Sequence, residues 1–471
     1  MVHKDLETNR ECEVPVDMTV NEDENTPGTR VSSNRITLSR WYKLFLRGYV
    51  EENGIRPVPP EERTETQHSN LFTVFFTGLL CILPIPTGAL GTVLFGLGLR
   101  DVSLIIIFNI VTCLPPAFIS LGGYKTGMRQ MVQARYYFGL YLVAIPLLLN
   151  AGTITGFTVV GSIVSGQAIA AVNKEANISI NVGIAIAVGC GGKHLVNQAD
   201  HEPATVKNVV GYGSLMAGYF MTFGGTVSDF TVYHTPEESK RKVFAYVYLG
   251  FLIPSTPLLI LGAAIGGAIP NVDSWQTAWI DYGLGGVMAE MLKPAGGFGK
   301  FVLVVMGLSI VGNMLLSYYS VALCLQMLIP VFTKVPRFVF VIVTLAIMVP
   351  MSIYAAAQWQ TSLVNFLSMI GYWAGCFDAV IIEELVVFRN RDYGLLDPEI
   401  WDQGRKLPTG LAAIGASIIS LGLVVPSMNT PWFTGPIGAK IGDIGFESAF
   451  LVTGIAYYPL RTLEIKLMGR V

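Results

Sequence analysis

The sequence predicts an all-α integral membrane protein with about ten spanning helices, on three observations. The 471 residues are 52% hydrophobic and only 14% charged, with a mean hydropathy of +0.53; an average soluble chain is about 25% charged. Ten apolar stretches approach or exceed the roughly 20 helical residues needed to cross a hydrocarbon core of about 30 Å. The basic residues segregate between alternate loops. The net charge of −2 is too near neutral to indicate a nucleic-acid partner.

Residues 1–68 are polar and contain Pro57-Val58-Pro59-Pro60-Glu61-Glu62, with no apolar stretch resembling a signal peptide. They read as a flexible cytoplasmic tail, with an amphipathic piece around Trp41–Tyr49 lying against the bilayer. Residues 69–471 form the membrane domain. Its crossings fall near Leu71–Leu99, Val102–Leu121, Tyr136–Val172, Val209–Val227, Val243–Ile269, Phe301–Phe332, Phe338–Ala357, Ser362–Phe388, Pro408–Val425 and the short Ser448–Leu460. An eleventh stretch, Ala176–Gly192, is bracketed by Lys174-Glu175 and Lys193-His194 and contains Asn177, Ser179 and Asn181. Its 17 residues cover about 26 Å as helix.

Charge decides whether that stretch crosses. If it does not, and the first helix runs outward from the cytoplasm, one set of loops carries Lys125, Arg129, Arg135, Lys240, Arg241, Lys242, Lys334, Arg337, Arg389, Arg391, Arg405 and Lys406. The other set carries Arg100, Lys174, Lys193, Lys207, Lys293, Lys300 and Lys440, so the split is twelve against seven. That is the positive-inside pattern, with both termini cytoplasmic. A crossing at Ala176–Gly192 would invert every later loop, so this stretch is expected to dip or fold back. Asn177-Ile178-Ser179, a glycosylation sequon, then lies outside but close to the membrane. Cys12 lies in the tail, and the other five cysteines lie in or beside apolar runs without zinc spacing, so they read as small core residues.

Two crossings are interrupted by helix breakers: Leu83-Pro84-Ile85-Pro86-Thr87-Gly88-Ala89-Leu90-Gly91, and Phe223-Gly224-Gly225-Thr226-Val227-Ser228-Asp229. Unwound backbone at membrane depth survives only where protein or a cavity covers it. Either break alone reads as a kink. The pair, with Thr87 and Ser228 beside it, points to the central site of an inverted-repeat transporter. Asn313, flanked by Ser309 and Ser317, is placed to bond a ligand or a neighbouring helix. Asp229 reads as holding the broken helix through backbone N–H groups or joining a gate, and equally as an interfacial cap before the loop Thr231–Lys242. Asp378 lies late in its crossing, while Glu383 and Glu384 are close enough to Arg389 for an interfacial ion pair. The five histidines lie in tails or loops without an HExxH or triad neighbourhood, and no phosphate loop follows a strand. No catalytic residue, metal ligand or cofactor is expected, and ATP-driven transport has no support.

The segments RPVPPEERT (Arg56–Thr64), LPIPTGALG (Leu83–Gly91), GMRQMVQARYYFG (Gly127–Gly139), GGKHL (Gly191–Leu195) and SDFTVY (Ser228–Tyr233) resemble the fungal purine-cytosine permeases of the nucleobase-cation-symport-1 family. YSVALCLQ (Tyr319–Gln326), KLPTG (Lys406–Gly410), IGDIGFE (Ile441–Glu447) and RTLEIKLMGR (Arg461–Arg470) continue the match in order. The resemblance implies a LeuT-type fold with two inverted five-helix repeats and two extra helices, twelve in all. It also implies proton symport of purine bases or cytosine across the plasma membrane, with vitamin B6, allantoin, uracil or hydantoins as cargo of relatives. The family sandwiches a flat ring between two tryptophans, whose positions fall here on Phe157 and Phe223. An asparagine one turn after the first falls on Gly161, the eighth-helix asparagine region falls on Asn313, and a serine of the first broken helix falls near Pro86.

Phenylalanine keeps a π-face but loses the indole N–H, and Gly161 removes an amide that would pair with a base edge. A more apolar ring or weaker binding follows. The resemblance also implies that most of the fourth and fifth helices are absent between Ile180-Asn181-Val182-Gly183-Ile184 and Gly191-Gly192-Lys193-His194-Leu195. Removing two helices together preserves the orientation of all that follows, which agrees with ten crossings instead of twelve. Such a loss also raises the alternative of a membrane protein that binds a ring without transporting it.

Overall fold

The computed structural model describes residues 54–171 and 194–469. Among these, the chain passes ten times between two ends of a helical bundle. We call the end that holds residues 54–66 the near end.

The first pass is broken. Helix α1 (His68–Leu79) and helix α2 (Pro84–Val93) meet at 51°, across Leu80-Cys81-Ile82-Leu83. Pro84 opens α2, where its missing N–H costs nothing. The second pass, α3 (Leu99–Thr126), returns through several closely joined helical segments. Helix α4 (Gln130–Phe138) is wholly buried at the near end, and α5 (Ala144–Ala170) is the third pass.

The fourth pass is also broken. Helix α6 (Val206–Met221) gives way to two 3-10 turns, Thr222–Gly225 and Val227–Phe230. Helix α7 (Lys240–Ala268) is the fifth pass. At the far end α8 (Asp273–Leu292) bends at Gly283 and packs on the end of α5, a helix the apolar pattern did not predict. Helices α9 (Gly296–Leu308) and α10 (Ile310–Leu328) make the sixth pass. The last four are α11 (Arg337–Ala356), α12 (Trp359–Glu383, ending in a π turn Glu384–Phe388), α13 (Leu411–Ser427) and α14 (Gly445–Met468). Trp41–Tyr49, Ala176–Gly192 and the sequon lie outside the described residues.

Contacts fix the polarity of these passes. At the far end Thr92 of α2 bonds the Ala263 carbonyl of α7, Gln198 bonds the Ala264 carbonyl, and Gly283 meets Gln167 of α5. At the near end Arg63 bonds carbonyls at the end of α3, and Lys240 at the start of α7 bonds the Arg391 carbonyl. The described chain therefore enters and leaves at one end, where the larger set of basic loops also gathers.

Small residues set the closest approach. A Cβ at Gly88 of α2 would overlap the Leu259 carbonyl of α7, and one at Gly262 would overlap the Ile85 carbonyl. Without side chains there, the two backbones touch and gain dispersion contacts that larger residues would forbid.

Part of the expected flexible tail is structure. Ile55, Val58 and Arg63 are buried. The Arg63 guanidinium donates to the Val58, Tyr124, Lys125 and Thr126 carbonyls, closing the C-terminus of α3. Gly127, at φ +69°, makes the left-handed turn that lets the Val58 N–H reach its carbonyl at 2.9 Å.

The ion pair expected at Arg389 is the rim of a larger buried cluster. Glu384 accepts from Arg389 Nε at 3.1 Å, from both Arg461 Nε and Nη2 at 3.0 and 2.9 Å, and from the Tyr457 hydroxyl at 2.9 Å. Arg461 also pairs with Glu464 at 3.0 Å, and Glu464 takes the Thr409 and Gly410 N–H groups. Two carboxylates and two guanidiniums cancel in charge, so the cluster closes the near end without an unbalanced buried ion.

Candidate functional site

The two breaks and the middle of α10 enclose one cleft of about 690 Å³ of empty space, including its open mouth. Its walls come from α1 (Val74, Phe75, Gly78, Leu79), α5 (Thr153, Ile154, Phe157), the end of α6 with its turns (Tyr219, Thr222, Phe223, Thr226, Phe230) and α10 (Asn313, Leu316, Ser317, Ser320). Among the described residues, no carboxylate, ammonium, guanidinium or imidazole lines it. An apolar wall with a few hydroxyls and one amide suits a neutral ligand of ring size.

The backbone groups freed at the breaks are repaired by side chains, which is how irregular backbone persists at membrane depth. At the first break Asn313 Nδ2 donates to the Gly78 carbonyl at 2.8 Å, and Ser309 Oγ accepts the Ile82 N–H at 3.1 Å. Asn313 thus spends its amide nitrogen on a neighbouring helix, leaving its Oδ1 for the cleft. At the second break Asn150 Nδ2 of α5 donates to the Gly225 carbonyl at 3.1 Å. Asp229 acts as a cap, though of another helix than the broken one: its Oδ1 takes the Gln130 N–H at 2.9 Å at the start of α4, while Arg129 holds the Asp229 carbonyl.

Phe157 and Phe223 face each other. Their rings lie 6.4 Å apart between centroids with 27° between planes, and both are half-buried. Phe157 is braced edge-on by Tyr219 at 5.9 Å and Phe366 at 5.1 Å, and Phe223 rests on Phe251 at 5.0 Å. Two carbon–carbon contact distances sum to about 7 Å. The centroid separation of 6.4 Å is close to that sum.

Of the six residues proposed from sequence, Phe157, Phe223 and Asn313 line the cleft. Thr87, Gly161 and Ser228 do not. Thr87 is buried in α2 and bonds the Leu83 carbonyl. Gly161 faces α10, where an added Cβ would stand 2.7 Å from Ile310 Cγ1. Ser228 turns away to bond the Ile119 carbonyl at 3.1 Å. Thr87 and Ser228 were chosen for polarity next to a break, where a hydroxyl serves the backbone as readily as a ligand, whereas Gly161 came from the family resemblance alone. Sequence reasoning missed Tyr219, Thr222, Thr226 and Thr153. Tyr219 sits one turn before Phe223, and that spacing alone would have placed it on the same face.

An all-helical membrane protein with two broken crossings around a neutral mid-bundle cleft has the architecture of a secondary transporter. The chain belongs to the family described as permeases for cytosine/purines, uracil, thiamine and allantoin, whose model matches residues 57–191 and 179–398. It is accordingly a permease and not an enzyme. The purine-cytosine permease fcyB of Emericella nidulans is 30% identical over 482 residues, covering 94% of each chain. The purine-cytosine permease FCY2 of Saccharomyces cerevisiae is 30% identical, covering 93% of this chain and 91% of its own. The vitamin B6 transporter TPN1 of the same yeast is 26% identical, covering 89% and 88%. Mhp1, a nucleobase-cation-symport-1 family transporter solved closed with bromovinylhydantoin, superposes with a TM-score of 0.63 at 15% identity, covering 88% of this chain and 96% of Mhp1. The LeuT-type fold expected from sequence is therefore present.

Proposed function

We propose that this permease carries a purine base, cytosine or a related flat heteroaromatic ring into the cell together with a proton, across the plasma membrane, with its near end in the cytoplasm. The observation that carries the reading is the Phe157–Phe223 pair: near-parallel rings 6.4 Å apart, at the junction of the third pass and the second break. Base–aromatic stacking tolerates any ring with a π-face and is worth about 1–3 kcal/mol per base. Asn313 Oδ1 and the hydroxyl oxygens of Thr222 and Thr226, whose protons go to the Tyr219 and Phe223 carbonyls, supply acceptors at the ring edge. The names of the purine-cytosine permeases favour nucleobases over vitamin B6. The basic loops at the near end support the orientation.

A second reading, ring binding without transport, rests on one length. Only 22 residues separate Ala171 from His194, about 33 Å of helix, which is one crossing and not the two implied by the resemblance. Uptake of labelled adenine, cytosine and pyridoxine into a permease-deficient yeast separates the readings, with surface expression checked in parallel. Accumulation of adenine or cytosine that rises at acid pH and collapses with a protonophore supports symport. Saturable binding without accumulation supports the second reading, and dependence on sodium instead of pH refutes the proton.

A further inference from the structure

Behind the second break, on the side away from the cleft, lies a carboxyl group that nothing described so far uses. Helices α12 and α6 meet at Gly371 and Gly218, where an added Cβ on Gly371 would stand 3.1 Å from the Gly218 Cα. One heptad later on the same face of α12 comes Asp378. By then α6 has ended, so the side chain meets the unwound backbone: a Cβ on Gly224 would overlap Asp378 Oδ1. On the next residue, a Cβ at Gly225 would overlap Asn150 Oδ1. Two glycines side by side thus admit two oxygen-bearing side chains from two different helices.

Asp378 is 0% exposed, and neither of its oxygens has a hydrogen-bond partner among the described residues. Asn150 Oδ1 is likewise unpartnered. The charged groups on the elements packed around α12 are committed elsewhere. Arg461 and Glu464 of α14 close the near-end cluster with Glu384 and Arg389, and Arg135 of α4 bonds the Trp401 carbonyl. Glu447, at the start of α14, Glu383, on α12 itself, Tyr137 of α4, Tyr219 of α6, and Cys324, which Asn150 bonds, make no hydrogen bond to the Asp378 carboxyl. An ionised carboxylate left so would bear the full cost of lost hydration. A metal cation would need more oxygens than the three free ones offer. A proton needs one.

We infer that Asp378 is the proton-binding site of the permease, set against the unwound Thr222–Thr226 segment whose opposite side carries Phe223. The inference rests on the symport reading above. With the carboxyl protonated, the segment packs as seen and Phe223 faces Phe157. When the O–H bond breaks and the proton passes to water on the cytoplasmic side, the carboxylate draws in water or the N–H groups of Gly224 and Gly225. The turn shifts and Phe223 moves with it. Ring and proton then favour the same arrangement, and each strengthens the other's binding equally.

The test uses the full-length protein, with D378N and D378E beside wild type. In reconstituted vesicles wild type should accumulate labelled cytosine or adenine under an inward proton gradient. D378N should only equilibrate it, while retaining exchange of external for internal label. Equilibrium binding to wild type should weaken about tenfold per pH unit once the empty site has lost its proton. D378N should bind with no such slope and D378E should restore one. Accumulation by D378N, or an unchanged slope, overturns the assignment, whereas a merely structural role would lower the folded yield and leave the slope in the remaining protein. If wild type carries no ring at all, the function proposed above falls, and infrared spectroscopy still decides the site. A protonated-carboxyl C=O band at neutral pH, lost in D378N and shifted in D378E, supports it; a wild-type spectrum without that band refutes it.

Discussion

Replacing Phe223 separates stacking from simple burial. Phe223→Leu keeps most of the side-chain volume and its contact with Phe251, but removes the π-face turned toward Phe157. The aromatic contribution beyond area is about 0.5–1.5 kcal/mol, which corresponds to roughly 2- to 13-fold in Kd. Phe223→Ala removes the whole platform, about 1–3 kcal/mol per base, or roughly 5- to 160-fold. Phe223→Trp should bind at least as well as wild type. Phe157 meets the other face of the same ligand, 6.4 Å away, so the free-energy effects of Phe157→Leu and Phe223→Leu should not simply add, and a double-mutant cycle should show coupling between them. The assay is equilibrium binding of labelled cytosine and adenine to purified protein, paired with thermal melts so that a misfolded variant is recognised. Leu and Ala variants that melt like wild type and bind within about twofold of it would refute the sandwich, whatever their transport rates.

Three further outcomes follow from the packing. Gly161→Asn should not rebuild a base-edge contact: its Cβ would stand 2.7 Å from Ile310 Cγ1, so melts should show an overpacking loss of about 1–3 kcal/mol, relieved by Ile310→Ala, without tighter binding. Glu384→Gln leaves Arg389 and Arg461 short of a counter-charge inside the near-end cluster; a loss of about 3–5 kcal/mol is expected in thermal or denaturant unfolding. His234, buried in the loop after the second break, has its imidazole held below the usual range by burial, against the weaker pull of Glu65 and Glu238 and with His68 adding to the depression. The unfolded chain takes that proton near pH 6.5, so stability should fall as pH drops below about 6.5, and His234→Asn should flatten that part of the melting-temperature profile.

The crossings were legible because each hides its own backbone bonds, so length and hydropathy alone fix them. The breaks were legible too, since Pro84, Pro86 and the Gly224-Gly225 pair cannot continue a helix quietly. What a residue at a break does was not. Asn313 reads in sequence as bonding either a ligand or a neighbouring helix, and it and Ser309 both spend a polar atom on the first break; which neighbour claims an amide is decided by helices far apart in the chain. Arg461 was visible as a terminal charge, but its pairing with Glu384 needs a separation of nearly eighty residues to close in space. Helix α8 escaped because it lies at the far end, packed on α5, and carries no periodic apolar signal. Arg63 and Val58 were hidden by their setting, a Pro- and Glu-rich run that reads as solvated until the α3 carbonyls are seen to need a donor.

The short interval after α5 bears on turnover more than on recognition. Ala171 ends α5 at the far end, and residues 194–205 lead into α6 from that same end, where Gln198 bonds α7. The 22 residues between Ala171 and His194 are fewer than two crossings would need. Yet every wall of the cleft comes from α1, α5, α6 with its turns, and α10 or the break at Leu83. The groups that repair the two breaks come from α5, α10 and the α9–α10 joint. None of this draws on the shortened interval. A ring can therefore be bound, and the Asp378 proton held, by parts that are all present. If two helices of the family pattern are absent, as the resemblance implies, the motion between two open states is the one function that would be carried by fewer helices, and so accumulation, not binding, is the measurement on which transport by this chain depends.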